Sequence, residues 1–229
     1  MSTAQIDHLV IVAPDLACGV DWCEATLGIT PGPGGEHPLM GTHNRMFRIA
    51  TVNFPRTYFE IIAINSVAAS AISTRAKRWF DMDSEALHAH VAQHGPQLVH
   101  FVANVPDVRA AVAALAEVGL DRGAPIAASR MTPHGPLQWQ ITVRDDGQRL
   151  MDGCLPTLIE WGDVHPSQSM PASGVTLQAL SVTHPQSVQL QSAYAAMGLK
   201  QVAAREGPAN LVATLATPRG LVTLESKGI

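Results

Sequence analysis

Two histidines and two glutamates stand at matching places in this 229-residue chain. His8 lies in IDHLVIVAPD (6–15) and His100 in LVHFVANVPD (98–107), each seven positions before an Asp. Glu60 is central in TYFEIIAI (57–64) and Glu160 in PTLIEWG (156–162). All four segments read as strands. Alternation groups His8 with Val10 and Val12, and Glu60 with Tyr58 and Ile62. It groups His100 with Val102 and Asn104, and Glu160 with Leu158 and Gly162, each opposite an apolar face. A carboxylate in an apolar sheet is costly unless paired or coordinated. Imidazole with carboxylate is a donor set for Zn, Ni, Mn or Fe. The expectation is one shared hollow in which His8, Glu60, His100 and Glu160 hold a divalent metal. Glu60 or Glu160 would then serve as general base. Taken singly, each histidine reads more simply as a hydrogen-bonded core residue, and each glutamate as solvent-facing or paired with Arg45, Arg48 or Arg144. The duplication favours a shared site.

A recurring unit positions these residues. After the first His strand comes a helical pattern from Asp15 to Leu27 with Gly28 beyond it; after the second comes DVRAAVAALAEVGL (107–120). Asp15 and Asp107 are N-cap candidates. Strand-like runs follow at 43–52 and 57–64, and again at 137–145 and 156–162. A weaker third copy begins at LQALSVTHPQ (177–186), with Ala179 in the histidine's place, and ends in runs at 209–218 and 220–228 that keep Glu225. The unit is β-α-β-β-β, with one short, poorly marked strand after each helix. This predicts an α+β fold: repeated βαβββ modules forming cupped mixed β-sheets, with helices on the outer face. The expected division is a first module over 1–64, a helical insertion over 65–97, a second module over 98–166 and a degenerate third over 174–229. In the insertion, DSEALHAHVAQHG (83–95) reads as a helix capped by Asp83 or Ser84 and ended by Gly95.

Composition narrows the function. With 46% apolar and 15% charged residues, the chain can bury a core and is not a disordered polymer. A net charge of −4, with no basic run and few aromatics, argues against nucleic acid. No run reaches the roughly 20 apolar residues that span a bilayer, and the N-terminus has no basic start or apolar run of a secretory signal. Three cysteines without CxxC spacing suggest neither a disulfide framework nor a thiolate zinc site. A cytoplasmic protein is the expectation.

IDHLVIVAPDL…LGI followed by YFEIIAI resembles the vicinal oxygen chelate superfamily, the glyoxalase/bleomycin-resistance/extradiol-dioxygenase fold. GGEHP (34–38), GTHN (41–44), RWFDMD (78–83) and LIEWGDVHP (158–166) are similar to its glyoxalase-like subgroup. The resemblance covers residues 6–166 well and the third copy only in general pattern. It implies paired βαβββ modules around a metal whose ligands come from the first and last strands, here His8, Glu60, His100 and Glu160. In the subgroup the place of His100 is often another residue, and His37 is an alternative ligand or acid/base group. The resemblance implies a metal-dependent lyase or isomerase acting on a small vicinal-oxygen substrate. The alternatives are a metal-free small-molecule binding protein and an Fe(II) extradiol-type dioxygenase, the latter disfavoured by a second carboxylate.

Substrate contacts are expected from the Gly-rich loop GPGGEHPLMGTHN (32–44), through His37, Thr42, His43 and Asn44, and from Arg130 and Trp139. Trp79 and Phe80 read as an anchor for the inserted helix first and a ligand wall second. His90 and His94, four apart, have metal-compatible spacing but no evident third ligand, so solvated surface is expected. A homodimer is expected because a single module leaves its inner sheet face uncovered.

Overall fold

We describe a computed structural model of the chain, covering residues 3–66, 77–133 and 135–229. Residues 67–76 of the expected insertion lie outside the described residues. The first unit comprises β1 (Gln5–Val12), α1 (Leu16–Leu27), β2 (Glu36–His37), β3 (Thr42–Arg48) and β4 (Tyr58–Ile64). After α2 (Glu85–His94) come β5 (Gln97–Asn104), α3 (Val108–Glu117), β6 (Ala124–Thr132), β7 (Gly135–Val143) and β8 (Thr157–Trp161). The third stretch holds β9 (Thr176–Thr183), α4 (Ser187–Met197), β10 (Ala204–Arg205), β11 (Asn210–Thr217) and β12 (Gly220–Glu225).

The expected caps form. Asp15 accepts from Cys18 N–H at 2.8 Å, and Gly28 closes α1 at φ 77°. Asp107 accepts from Ala110 N–H at 2.9 Å. On α2, Ser84 rather than Asp83 is the N-cap, and Gly95 ends the helix. One expectation fails: the strand after α3 is not short. β6 has nine residues and pairs along its whole length with β7, whereas β2 and β10 have two each.

The sheet of the first two units has the order β2-β3-β4-β1-β5-β8-β7-β6. Strands β1 and β5 run antiparallel at its centre, and each also has a parallel neighbour, β4 and β8. The sheet curls until its edges meet: a Cβ built at Gly35, next to β2, would collide with the guanidinium of Arg130 on β6. Two cores result. The helix-side core joins Leu9, Ile11, Phe59, Ile61 and Phe101 to α1, α3 and the third stretch. The cup-side core joins Val10, Ile62, Val102 and Ile159 to Trp79, Phe80 and α2. Each fully buried large apolar side chain stabilises the fold by about 1.5–3 kcal/mol. Helix α1 lies so close to the sheet that a Cβ at Gly19 would meet Ile61 Cγ2 at 2.5 Å.

The β1–β5 pairing carries two bulges. His8 pairs with Val102 while Ile6 pairs with Ala103, leaving Asp7 as the extra residue; Val10 pairs with His100 while Ile11 pairs with Leu98, leaving Val99. A bulge turns two successive side chains toward one face. Hence Ile6 and Leu9, three apart, both enter the helix-side core.

The third stretch forms its own sheet, β10-β9-β11-β12, and packs α4 against α3. Tyr194 Oη donates to Cys154 O at 2.6 Å, Leu177 N–H donates to Ile49 O at 2.9 Å, and Ile6 N–H donates to Gln201 Oε1 at 2.6 Å. No helix among the described residues is long and apolar enough to cross a membrane.

Candidate active site

The bulge in β1 builds the centre of the site. It sets Asp7 and His8 side by side on the cup face, with His8 Nδ1 at 2.6 Å from Asp7 Oδ1. Asp7 is fully buried. Its Oδ2 accepts from Trp161 Nε1 at 2.8 Å and from His165 Nε2 at 2.9 Å. Ser167 N–H in turn donates to His165 Nδ1 at 3.2 Å. Tyr58 stacks on the imidazole of His8 at 4.6 Å between centroids.

Glu60 enters from β4, where it pairs with Val10. Its Oε2 lies 3.4 Å from His8 Nε2, and its Oε1 accepts from Asn44 Nδ2 at 2.5 Å. The same Asn44 accepts from Gly35 N–H at 2.8 Å, tying the Gly-rich loop to the carboxylate. His37 sits beside Asn44, with Nε2 at 3.4 Å from Asn44 Nδ2 and Nδ1 at 3.0 Å from Thr42 Oγ1.

Burial alone would lower the pKa of His8, but hydrogen bonds to Asp7 and Glu60 outweigh it and push the imidazole up to about 9. Burial alone would raise Asp7 and Glu60. Hydrogen bonds from His165 and His8 hold Asp7 far below the usual carboxylate range, and His8 chiefly holds Glu60 down. At neutral pH the arrangement is therefore an imidazolium between two carboxylates. His37 goes the other way: burial lowers it to about 4, so its ring is neutral.

His8 and Glu60 line a small pocket of about 30 Å³ with Tyr58, Trp79, Arg130 and Trp161. Met46, Arg130, Leu137 and Pro166 separate it from a larger cavity of about 450 Å³. This cavity is walled by the Gly-rich loop, the β6–β7 turn and the 164–173 segment. The His8–Glu60 pair thus stands in a small pocket adjoining a space sized for a small organic molecule.

The structure does not bring all four expected ligands together. Glu160 points to the helix side, where its Oε2 accepts from Val108 N–H at 2.8 Å at the start of α3. The register explains this. The residue two positions after His8, Val10, pairs with Glu60; the residue two positions after His100, Val102, pairs with Thr157. Thr157, not Glu160, holds the second unit's equivalent of Glu60. His100 is fully buried, and both its nitrogens are occupied within the fold. Nδ1 donates to Gly153 O at 2.8 Å, and Nε2 accepts from Thr157 N–H at 3.0 Å. Burial, with Arg122 nearby, holds its pKa well below the usual value. Among the described residues, no three His, Cys, Asp or Glu side chains are grouped as a metal would require. The donor set supplies the first unit's two members and lacks the second's, so it does not fit the four-ligand centre expected from the resemblance.

The remaining expectations divide. Thr42 and Asn44 face the cup, as do Arg130 and Trp139, and His37 lines the pocket. His43 does not. It lies between them on β3, on the face shared with the helix-side Phe47, and Glu36, Arg45 and Asp15 are its charged neighbours. Trp79 and Phe80 anchor α2 and wall the pocket at once. The rings of His90 and His94 lie 4.4 Å apart between centroids, tilted by 46°, outside the pocket. Sequence reasoning missed Asp7, Tyr58, His165 and Thr157. Asp7 stands beside His8 and His165 lies within a quoted motif, but strict alternation sends Asp7 to the wrong face.

The paired βαβββ cup is the fold of the vicinal oxygen chelate superfamily. The chain belongs to the glyoxalase-like domain family, whose model matches residues 6–198. A search among curated proteins finds no match. Among solved structures, the chain resembles a hypothetical protein from Staphylococcus aureus at 15% identity and a TM-score of 0.60, covering 97% of this chain and 85% of that one. It also resembles a mutant 4-hydroxymandelate synthase from Streptomyces coelicolor at 13% identity and a TM-score of 0.50, covering 98% of this chain and 63% of the other. A methylmalonyl-CoA epimerase from the same organism aligns at 18% identity and a TM-score of 0.43, covering 72% of this chain and 99% of that one. At these identities the likeness speaks to the fold alone.

Proposed function

We propose that this protein is an isomerase or lyase that moves a proton at a carbon next to a carbonyl in a small oxygenated substrate. The observation that carries the reading is the buried Asp7–His8–Glu60 relay at the floor of the cup. Glu60, kept ionised, takes the proton from carbon. The bond electrons move toward the carbonyl oxygen, which accepts a hydrogen bond from His8 Nε2 in place of Glu60. Asp7 keeps the imidazole protonated and oriented, as the His165 and Trp161 bonds keep Asp7. Returning the proton to the other face or to a neighbouring carbon completes an isomerisation; expelling a leaving group completes a lyase reaction. General acid–base help of this kind contributes about 10²–10⁴ in rate.

The test is exchange of substrate C–H for deuterium in heavy water, followed by proton NMR over a panel of 2-hydroxy ketones and 2-oxo acids. The wild type should exchange at least one class, and Glu60→Gln should slow that exchange at least about 100-fold. A panel without exchange, or a Glu60→Gln variant as fast as wild type, refutes the reading. One observation favours a second reading, a divalent cation: His8 Nε2 and Glu60 Oε2 face each other across 3.4 Å. The first reading expects exchange unchanged by chelator or by added Zn, Ni, Mn or Fe. Loss on chelation and recovery with one metal would select the second.

A further inference from the structure

Arg130 and Trp79 bring hydrogen-bond donors to the pocket that find nothing to bond. Trp79 Nε1, Arg130 Nε and Arg130 Nη1 are closed off from solvent, and none has an acceptor among the described residues. Buried donors, above all those of a guanidinium, are costly when unpaired. All three come from side chains that line the pocket of His8 and Glu60. Arg130 also lines the larger cavity, where it is the one ionisable side chain among the described lining residues. The rest of that wall is largely apolar, with Ile29, Met46, Leu137 and Met170 beside prolines and glycines. The loop is shaped around the guanidinium, since a Cβ at Gly35 would strike Arg130 Nη1.

We propose that the cavity binds a small monocarboxylate with an apolar arm. The carboxylate accepts from Arg130 and Trp79, and the arm fills the cavity of about 450 Å³. The planar guanidinium matches the planar carboxylate, and the inner pocket of about 30 Å³ suits that group better than a bulkier phosphate. The further statement that the carbon beside the carboxylate or its neighbouring carbonyl faces Glu60 rests on the proton-transfer reading above; the carboxylate site itself does not.

The test measures binding by tryptophan fluorescence and calorimetry, with hexanoate, hexanamide, hexyl phosphate and hexylamine as probes. Hexanoate should bind at least about tenfold tighter than hexanamide. Arg130→Gln should remove that preference, and Arg130→Lys should keep part of it. Gly35→Ala, which intrudes on the guanidinium without removing it, should weaken hexanoate and leave hexanamide unchanged. Equal binding of acid and amide by wild type overturns the proposal. So does a preference that survives Arg130→Gln, tighter binding of hexyl phosphate than of hexanoate, or no saturable binding of hexanoate in the millimolar range. Glu60→Gln should still bind hexanoate. A carboxylate preference dependent on Arg130, found together with no deuterium exchange, would therefore leave this inference standing and remove only the catalytic one.

Discussion

Replacing His8 with Gln should change how stability depends on pH, by an amount the site geometry sets. In the fold, two carboxylates push the imidazole up to about 9, against an ordinary value of 6.5. The gap corresponds to about 3 kcal/mol of stability, present in full below pH 6.5 and lost as pH rises through 9. About 2 kcal/mol of it should disappear between pH 6 and pH 8.5. His37 and His100 act with the opposite sign. Both are held neutral by burial, so their contribution falls as pH drops below 6.5 and the unfolded imidazoles take up protons. The informative quantity is therefore the difference between wild type and His8→Gln above pH 6. Urea unfolding at a series of pH values supplies it, because each curve gives a free energy whose slope against pH counts protons. The variant will be less stable throughout, since Asp7 and Glu60 lose a partner, but its curve should lack the decline that wild type shows. Parallel declines in the two proteins would mean that His8 is not the cation between these carboxylates, and the acid assigned to the mechanism would be lost.

Other outcomes follow from the same contacts. Asp7→Asn should bring the titration of His8 down toward its ordinary value, read from its ring resonances by NMR; an unmoved titration would dismiss Asp7 as the orienting group. Glu160→Ala should cost about 1 kcal/mol by removing the acceptor at the start of α3, with deuterium exchange unchanged. A loss of exchange with intact folding would put Glu160 back in the chemistry. Thr157→Val removes the hydroxyl that accepts from the buried Arg122 and should cost about 1–3 kcal/mol in urea unfolding, again without effect on exchange.

The repeat made the architecture legible. Asp–helix–Gly patterns located α1 and α3 and alternation located most strands, because caps and burial are local properties that the neighbouring residues disclose. β6 escaped because its APIAASRMT stretch has little contrast between faces and is held by pairing with β7 rather than by a core. The site was legible by halves. His8 and Glu60 were found because each is a polar residue stranded in an apolar strand. Glu160 met the same description and was misplaced: matching two copies by motif put it opposite Glu60, whereas strand register puts Thr157 there. Register is a relation between distant segments, and no single segment carries it. Asp7 was lost for a related reason, since a bulge breaks the alternation on which faces were assigned. The donors of Arg130 and Trp79 were beyond reach, because lacking a partner is a property of the folded neighbourhood.

The hydrogen bond from Ile6 N–H to Gln201 Oε1 gives the third stretch a job despite its missing histidine. It reaches the strand one residue before the extra Asp7, from behind, while every group that would touch a substrate lies in front. The copies thus differ in what they hold: the first carries the buried His8–Glu60 pair, the second packs its histidine into the fold, and the third braces the first. Damage to that brace would surface as a loosened β1, far from where the damage was done.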